Sequence, residues 1–316
     1  MKALWLNIIA AVCITLTTSC GNNHRKSASW LTSDDVHIAV DETFRPIMEE
    51  EFNVFGLQYP EATVKPVYLS EHDALKLLVN DSVRACIVTR KLSDAELKII
   101  RSHTLDASQA QFATDAFALI VNKANKDTLI TLDEIKGIVS GKITKWQQLS
   151  NGHRKGTIKM VFDNQGSSTV RYITDSLNNG KKLSGNVFAQ GNNRAVIDLV
   201  KKNPDVIGVV GADWLKQKGD SVLSSFKNLD FNVMMVSRYS DPAMQKFVRP
   251  YQYYIATAEY PLLRPVYVIT TDPRTKSMVK MLYFFLKGQR GQLIICNDSQ
   301  MLPIMPVQVK EVSMTE

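Results

Sequence analysis

The sequence is poor in the residues that metal and nucleophile chemistry need. It has 4 cysteines and 5 histidines in 316 residues. His24, His37, His72, His103 and His153 are scattered, and no spacing matches a zinc or haem ligand set. There is no GxSxG turn, and no histidine lies near Ser167 and Ser168, which disfavours a serine hydrolase. Internal repeats and low-complexity segments are also missing. Basic residues outnumber acidic ones by only 38 to 31, well mixed, for a net charge of +7. That balance suits anions or acidic surfaces. Without a basic cluster interleaved with aromatics, it disfavours nucleic acid. The longest N-terminal apolar run, Ala3–Leu16, is shorter than the roughly 20 residues a bilayer span needs.

That run has another reading. Met1-Lys2 gives a short positive start, and Thr17-Thr18-Ser19-Cys20-Gly21 ends the run with small residues before a cysteine. This is the pattern of a secretory signal, and its end resembles a bacterial lipobox, with Thr17 where leucine is usual. Residues 1–19 are therefore expected to be a signal peptide, Cys20 the lipidated first residue, and 20–35 a polar tether. Export leaves Cys86 and Cys296. An oxidising envelope permits a bridge, but both end or lie within short apolar runs, so two buried free thiols are the simpler expectation.

The most informative internal stretch is Val161–Leu177, VFDNQGSSTVRYITDSL. An apolar pair runs into a polar turn with a glycine. Three hydroxyls follow, and then Val170, Ile173 and Leu177 recur at helical spacing. The pattern predicts strand, tight turn and helix start. Such a place offers free backbone N–H groups to an anion, and equally suits an ordinary N-cap.

The rest of the chain alternates strand and helix. His37–Val40 reads as a strand, Thr43 starts a helix with Phe44, Ile47, Phe52 and Phe55 on one face, and Val64–Tyr68 is a strand. Ser70 caps the next helix, and Ala85–Val88 is a strand ending at Thr89-Arg90. Ser93 with Glu96 and Thr131 with Glu134 form capping boxes, and Gly141 is placed to end a helix. Strands follow at Phe117–Val121, Val206–Val210, Phe231–Val236 and Val266–Ile269, with helices around Asn193–Lys201 and Met278–Phe285. At 316 residues two α/β units with largely parallel sheets are the natural reading. Ligands collect where such strands end, so Thr43, Ser70 and Thr89-Arg90 form one candidate rim.

Four segments in order resemble one family, the phosphate-type substrate-binding proteins of bacterial ABC importers. Leu129–Leu149, LITLDEIKGIVSGKITKWQQL, is similar to its "LT–L–I–SGKIT–W–L" signature, with Phe117–Asn122 ahead of it. Pro204–Leu215 resembles its "P–IGYVG–L" segment, Tyr260–Tyr267 its return segment, and Phe285–Ile295 with Pro303 its tail. The resemblance implies an α/β fold of two lobes (the type II periplasmic-binding-protein fold) with crossovers near Phe112–Asp115 and Ala258–Pro261. Lobe I would span 36–113 plus 261–316, and lobe II 114–260.

The family's phosphate turn, R-x-D-G-S-G-T, falls on the stretch 163–169. Gly166, Ser167 and Thr169 match; Ser168 replaces a glycine, Gln165 an aspartate, and Asp163 stands where arginine is usual. The family's Thr-Phe pair matches Thr43-Phe44, its binding serine matches Ser70, and its Ser-Asp matches Thr89-Arg90. On this alignment Arg90 replaces the missing positive charge, Arg171 is a second candidate cation, and Asp163 is a candidate proton acceptor. The implied function is a lipid-anchored, monomeric solute-binding protein on the periplasmic face. It captures phosphate or a related tetrahedral oxyanion for an ABC permease, with no cofactor and no catalysis. The alternative is an envelope sensor or assembly protein on the same fold.

Overall fold

The structure is a computed structural model and describes residues 35–215, 226 and 229–305. The signal peptide, Cys20 and the tether up to residue 34 lie outside the described residues.

The first half begins with β1 (Asp35–Asp41), a short 3-10 turn and α1 (Arg45–Gln58), then β2 (Thr63–Leu69), α2 (Glu71–Val79), β3 (Ala85–Val88) and α3 (Asp94–Ser102). β1 pairs in parallel with both β2 and β3. All four residues of β3, parallel to β1 and antiparallel to the later strand Leu263–Thr270, are buried, as expected of a strand covered on both faces. One face carries Phe44, Ile47, Phe52 and Phe55 of the α1 segment against Ile38 and Ile87. The other carries Ala74, Leu75 and Leu78 of α2 against Cys86 and Val88. These are the faces that the apolar spacing marks. Both capping boxes form as read from the sequence, and Gly141 takes φ +81 just past α4 (Leu132–Val139), a conformation that favours glycine.

The two halves meet at β4 (Ser108–Asn122) and β11 (Leu263–Thr270), a long antiparallel pair. Phe112 and Ala113 belong to the first core and Ala116 and Phe117 to the second; on the return, Leu262 belongs to the second and Val266 to the first. The second half contains β5 (Leu129–Thr131), α4, β6 (Lys159–Phe162) and α5 (Ser168–Tyr172). It continues through β7 (Val187–Ala189), α6 (Asn193–Lys202), β8 (Val206–Gly211), β9 (Phe231–Val233), β10 (Met235–Ser237) and α7 (Gln252–Ala256). The chain closes in the first half with α8 (Met278–Lys287), α9 (Gln289–Asp298) and β12 (Leu302–Pro303). The main strand order is β2-β1-β3-β11-β4-β8-β6-β7.

Two elements depart from the sequence reading. The single strand expected over Phe231–Val236 divides at Met234. β9 pairs with β4, whereas β10 pairs with β5, and the buried Met234 donates its N–H to Leu119 at 2.8 Å between them. The helix from Ser168 is α-helical for five residues and then widens to a π-turn over Ile173–Leu177, closed by Asn178 N–H to the Ile173 carbonyl at 3.0 Å.

Candidate functional site

The stretch 163–169 folds as its composition suggests. β6 delivers Asp163 into the interior, and Asn164 starts an Asx turn by accepting the Gly166 N–H at 3.0 Å. Ser167 is the N-cap of α5, its Oγ accepting the Val170 N–H at 3.2 Å. Gly166 lies close to the first half. A Cβ there would sit 3.0 Å from Ser70 Oγ, and the Gly166 carbonyl accepts the His72 N–H at 3.2 Å. Ser70 caps α2, with Oγ accepting from Asp73 N at 3.1 Å. The two turns that the sequence marks as candidate rims therefore touch.

Beneath them lies a buried polar cluster drawn from five segments. Arg264 of β11, only 2% exposed, donates from Nε to Asp115 Oδ2 of β4 at 2.8 Å, with Nη2 also 2.8 Å from that oxygen. Its Nη1 donates to Ser168 Oγ at 2.5 Å, and Ser168 in turn donates to Asp41 Oδ2 at the end of β1. The guanidinium lies 4.0 Å from the Phe117 ring centroid and 4.9 Å from that of Phe44, so both rings serve as cation-π faces for it. Thr43 touches both nearby carboxylates. Its N–H donates to Asp41 Oδ1 at 3.1 Å, and its hydroxyl reaches Asp163 Oδ2 at 3.5 Å. Asp163 Oδ1 and Thr169 Oγ1 are buried and have no hydrogen-bond partner among the described residues.

Burial dominates the electrostatics here. It raises the Asp163 carboxyl to about 7, with the Asp41 charge adding to the effect. Asp41 is raised by its own burial and by Glu71, against the pull of Arg264.

The remaining predicted residues form two other groups. Arg171 donates from Nε to Glu71 Oε2 at 2.5 Å and from Nη2 to Thr89 Oγ1 at 2.7 Å; Thr89 donates both its N–H and its hydroxyl to Glu71 Oε1 at 2.7 Å. Burial alone would raise the Glu71 carboxyl, but Arg171 and Thr89 together hold it below its ordinary value. This triad spans the two halves. So do Asn193 Nδ2 to Glu42 Oε2 at 2.7 Å and Trp214 Nε1 to the Thr43 carbonyl at 2.9 Å.

Arg90, expected to bring positive charge to the site, is taken up by α3. Its two terminal nitrogens fork onto Glu96 at 2.8 Å each, and Nη1 also donates to the Lys91 carbonyl. Glu96 is already fixed by its capping box, so the fork is held away from other partners. The cation at the centre of the cluster is Arg264, which sequence reasoning passed over along with Asp41, Glu71 and Asp115. A signal existed: Arg264 and Asp115 are each a lone charge within an apolar strand, and Asp41 is an acid closing one. Cys86 and Cys296 are free thiols, the first buried and the second half-buried. Among the described residues no group of three or more His, Cys, Asp or Glu is placed to hold a metal ion, and no helix is long and apolar enough to cross a membrane.

Residues 26–287 match the family model described as a PBP superfamily domain. The phosphate-binding protein PstS of Staphylococcus saprophyticus is 24% identical over 236 residues, 74% of this chain and 69% of that protein. An ABC-type phosphate transport receptor from Vibrio cholerae superposes with a TM-score of 0.60 at 19% identity, covering 83% of this chain and 97% of its own. A high-affinity periplasmic phosphate-binding protein (PfluDING) bound with phosphate gives 0.69 at 14% identity, over 85% and 90%. The two-lobed α/β fold expected from the sequence is thus the fold found.

Proposed function

The chain belongs to the PBP superfamily, and on that premise we propose that it is a solute-binding protein that captures inorganic phosphate, or a related tetrahedral oxyanion, for an ABC permease. The observation that carries this reading is the buried cluster at the junction of the halves. There Arg264, Thr43, Ser168 and Thr169 bring a fixed cation and hydroxyls from separate segments to one place. Such donors, removed from water, hold an oxyanion strongly, and a binder of this kind performs no chemistry on its ligand. Closure of one lobe on the other is the signal a permease would read. The proposed lobe boundaries are 36–113 plus 261–316 and 114–260. The proposed ligand contacts from the sequence are Thr43, Phe44, Ser70, Thr89, Arg90, Gly166, Ser167, Ser168 and Thr169, with Asp163 and Arg171. The cluster gives most weight to Thr43, Ser168, Thr169 and Asp163, with Arg264 added. Export through residues 1–19 and a lipid anchor at Cys20 complete the reading, with the protein a monomer on the periplasmic face.

Titration calorimetry with phosphate and sulfate tests it. Saturable heat with phosphate is expected, and silence from both anions with folded protein would sink the proposal. A second reading, an envelope sensor or assembly protein on the same fold, is favoured by Asp41, whose carboxylate already engages the Thr43 N–H and the Ser168 hydroxyl. Under that reading Arg264→Ala changes partner binding and leaves anion affinity untouched.

A further inference from the structure

We propose that Asp41 is a built-in pseudo-ligand: its carboxylate takes donors of the oxyanion place and ties the two halves together until an incoming anion displaces it. This rests on the oxyanion reading above and goes further by naming the residue with which the anion competes.

Asp41 uses its two oxygens differently. Oδ1 caps the short turn Glu42–Phe44 by accepting the Thr43 N–H at 3.1 Å, as Asp, Asn or Ser would at such a position. The cap does not need Oδ2. That oxygen reaches the second half and accepts the Ser168 hydroxyl, while Ser168 Oγ accepts from Arg264 Nη1 at 2.5 Å. Asp41, Ser168 and Arg264 are all buried. A carboxylate, itself an oxyanion, thus lies between a backbone N–H of the first half and a hydroxyl of the second that a guanidinium backs.

A carboxylate and a tetrahedral oxyanion ask for the same donors. Ser168 has a single O–H to give, and given to Asp41 it is withheld from any other acceptor. The Thr43 N–H is committed in the same way. The neighbouring Thr169 hydroxyl is not: its oxygen is buried with no hydrogen-bond partner among the described residues, so it can meet the first oxygen of an entering anion. Completing the site then requires Thr43 and Ser168 to exchange one oxyanion for another. Because each half supplies one of these two contacts, Asp41 also joins the halves, alongside Arg171–Glu71 and Asn193–Glu42. Anion binding competes with that internal contact, and the apparent affinity is the intrinsic one reduced by the fraction of molecules whose donors are released.

Two variants separate the cap from the contact between halves. Asp41→Ser keeps a capping oxygen but is too short to reach Ser168, whereas Asp41→Asn keeps both cap and reach and loses only the charge. Phosphate affinity by calorimetry and radius of gyration by small-angle scattering are read on the full chain for wild type and both variants. Asp41→Ser should bind phosphate tighter than wild type by about tenfold or more, the factor for a self-bound form holding about nine-tenths of the molecules. Its radius in phosphate-free buffer should be larger, returning to the wild-type value when phosphate is added. Asp41→Asn should keep the wild-type radius and gain less affinity. Equal affinity in wild type and Asp41→Ser overturns the inference and leaves the oxyanion reading intact. So does an equal gain in both variants with no change of radius, since loss of charge alone would then account for it. Ser168→Ala breaks the same contact from the other side and gives the radius test a second arm should Asp41→Ser fail to fold; an unchanged radius there counts against the contact. Calorimetric silence from every protein removes the oxyanion reading and this inference with it.

Discussion

Arg264 and Asp115 face each other directly across the antiparallel pair β11–β4, at the point where the chain passes between its two cores. The register of a β-ladder, rather than two adjustable side chains, sets their separation. Phe117 and Phe44 close over the guanidinium, so its orientation is fixed before any ligand arrives. A cation held this way costs little to reorganise on binding, which is what a selective anion site requires.

Removing one member of this pair should be costly. Asp115→Ala or Arg264→Ala leaves a buried charge unmatched, a loss of about 3–5 kcal/mol. The double variant Arg264→Met/Asp115→Leu should lose less than either single variant. Urea unfolding read by circular dichroism checks the order; a double variant less stable than both singles would contradict it.

Arg90 and Arg264 give opposite outcomes in binding. Arg90→Ala breaks a half-exposed fork to Glu96 and should change phosphate affinity less than about twofold, at a stability cost of about 1 kcal/mol or less. Arg264→Lys, which keeps the charge and loses the planar fork, should weaken binding at least tenfold, since a charge-assisted bond contributes about 1.5–3 kcal/mol. Calorimetry on both variants decides it, and a tenfold loss in Arg90→Ala would restore that residue to the site.

The fold was largely legible because apolar spacing and capping boxes are local signals. The face with Ile47, Phe52 and Phe55, and the Ser93–Glu96 and Thr131–Glu134 caps, all stand where the sequence places them. The candidate site was legible where it is a turn: Gly166 lies beside Ser70, and Ser167 caps the helix that Ser168 and Thr169 begin. Its charges were not. Arg264 becomes central only through pairing with a residue 149 positions away, and Arg90 is withdrawn by a glutamate that reads from sequence as a helix cap. The strand break at Met234 is likewise set by which sheet each end joins, a tertiary choice that strand propensity does not encode.

Asp163 makes the stability of the unliganded protein depend on pH between acid and neutrality. Its ordinary value is 3.8, and in the fold it is raised to about 7 by burial and by Asp41. The unfolded chain releases the proton first, so the native state binds more protons between these values. The contribution of this group is therefore fully present below about pH 4 and declines as pH rises towards 7, by up to about 4 kcal/mol. Asp163→Asn should flatten that slope. Urea midpoints for both proteins at about pH 5 and about pH 8 test it, and a parallel decline in the variant would assign the slope elsewhere.

Gly166 should govern closure. Its Cα faces Ser70 so closely that an added Cβ would stand 3.0 Å from Ser70 Oγ, 3.3 Å from Ser70 Cβ and 3.4 Å from His72 Cβ. An alanine methyl can be met by a small shift, whereas the branched side chain of valine must push the turn away from α2 and stretch the bond between His72 N–H and the Gly166 carbonyl. The core of neither half is touched, so Gly166→Val should lose less than about 1 kcal/mol in unfolding yet weaken anion affinity about tenfold or more. Opposing that opening is the Arg171–Glu71–Thr89 triad. With Glu71 held below its ordinary 4.5, the triad's contribution is present above that pH and lost as pH falls through the lowered value. Small-angle scattering of Gly166→Val should therefore show a larger radius of gyration than the wild type at neutral pH. Glu71→Gln in the wild-type background should show a smaller increase, and one that no longer depends on acid. Equal radii for all three proteins would mean that neither contact governs how the halves meet.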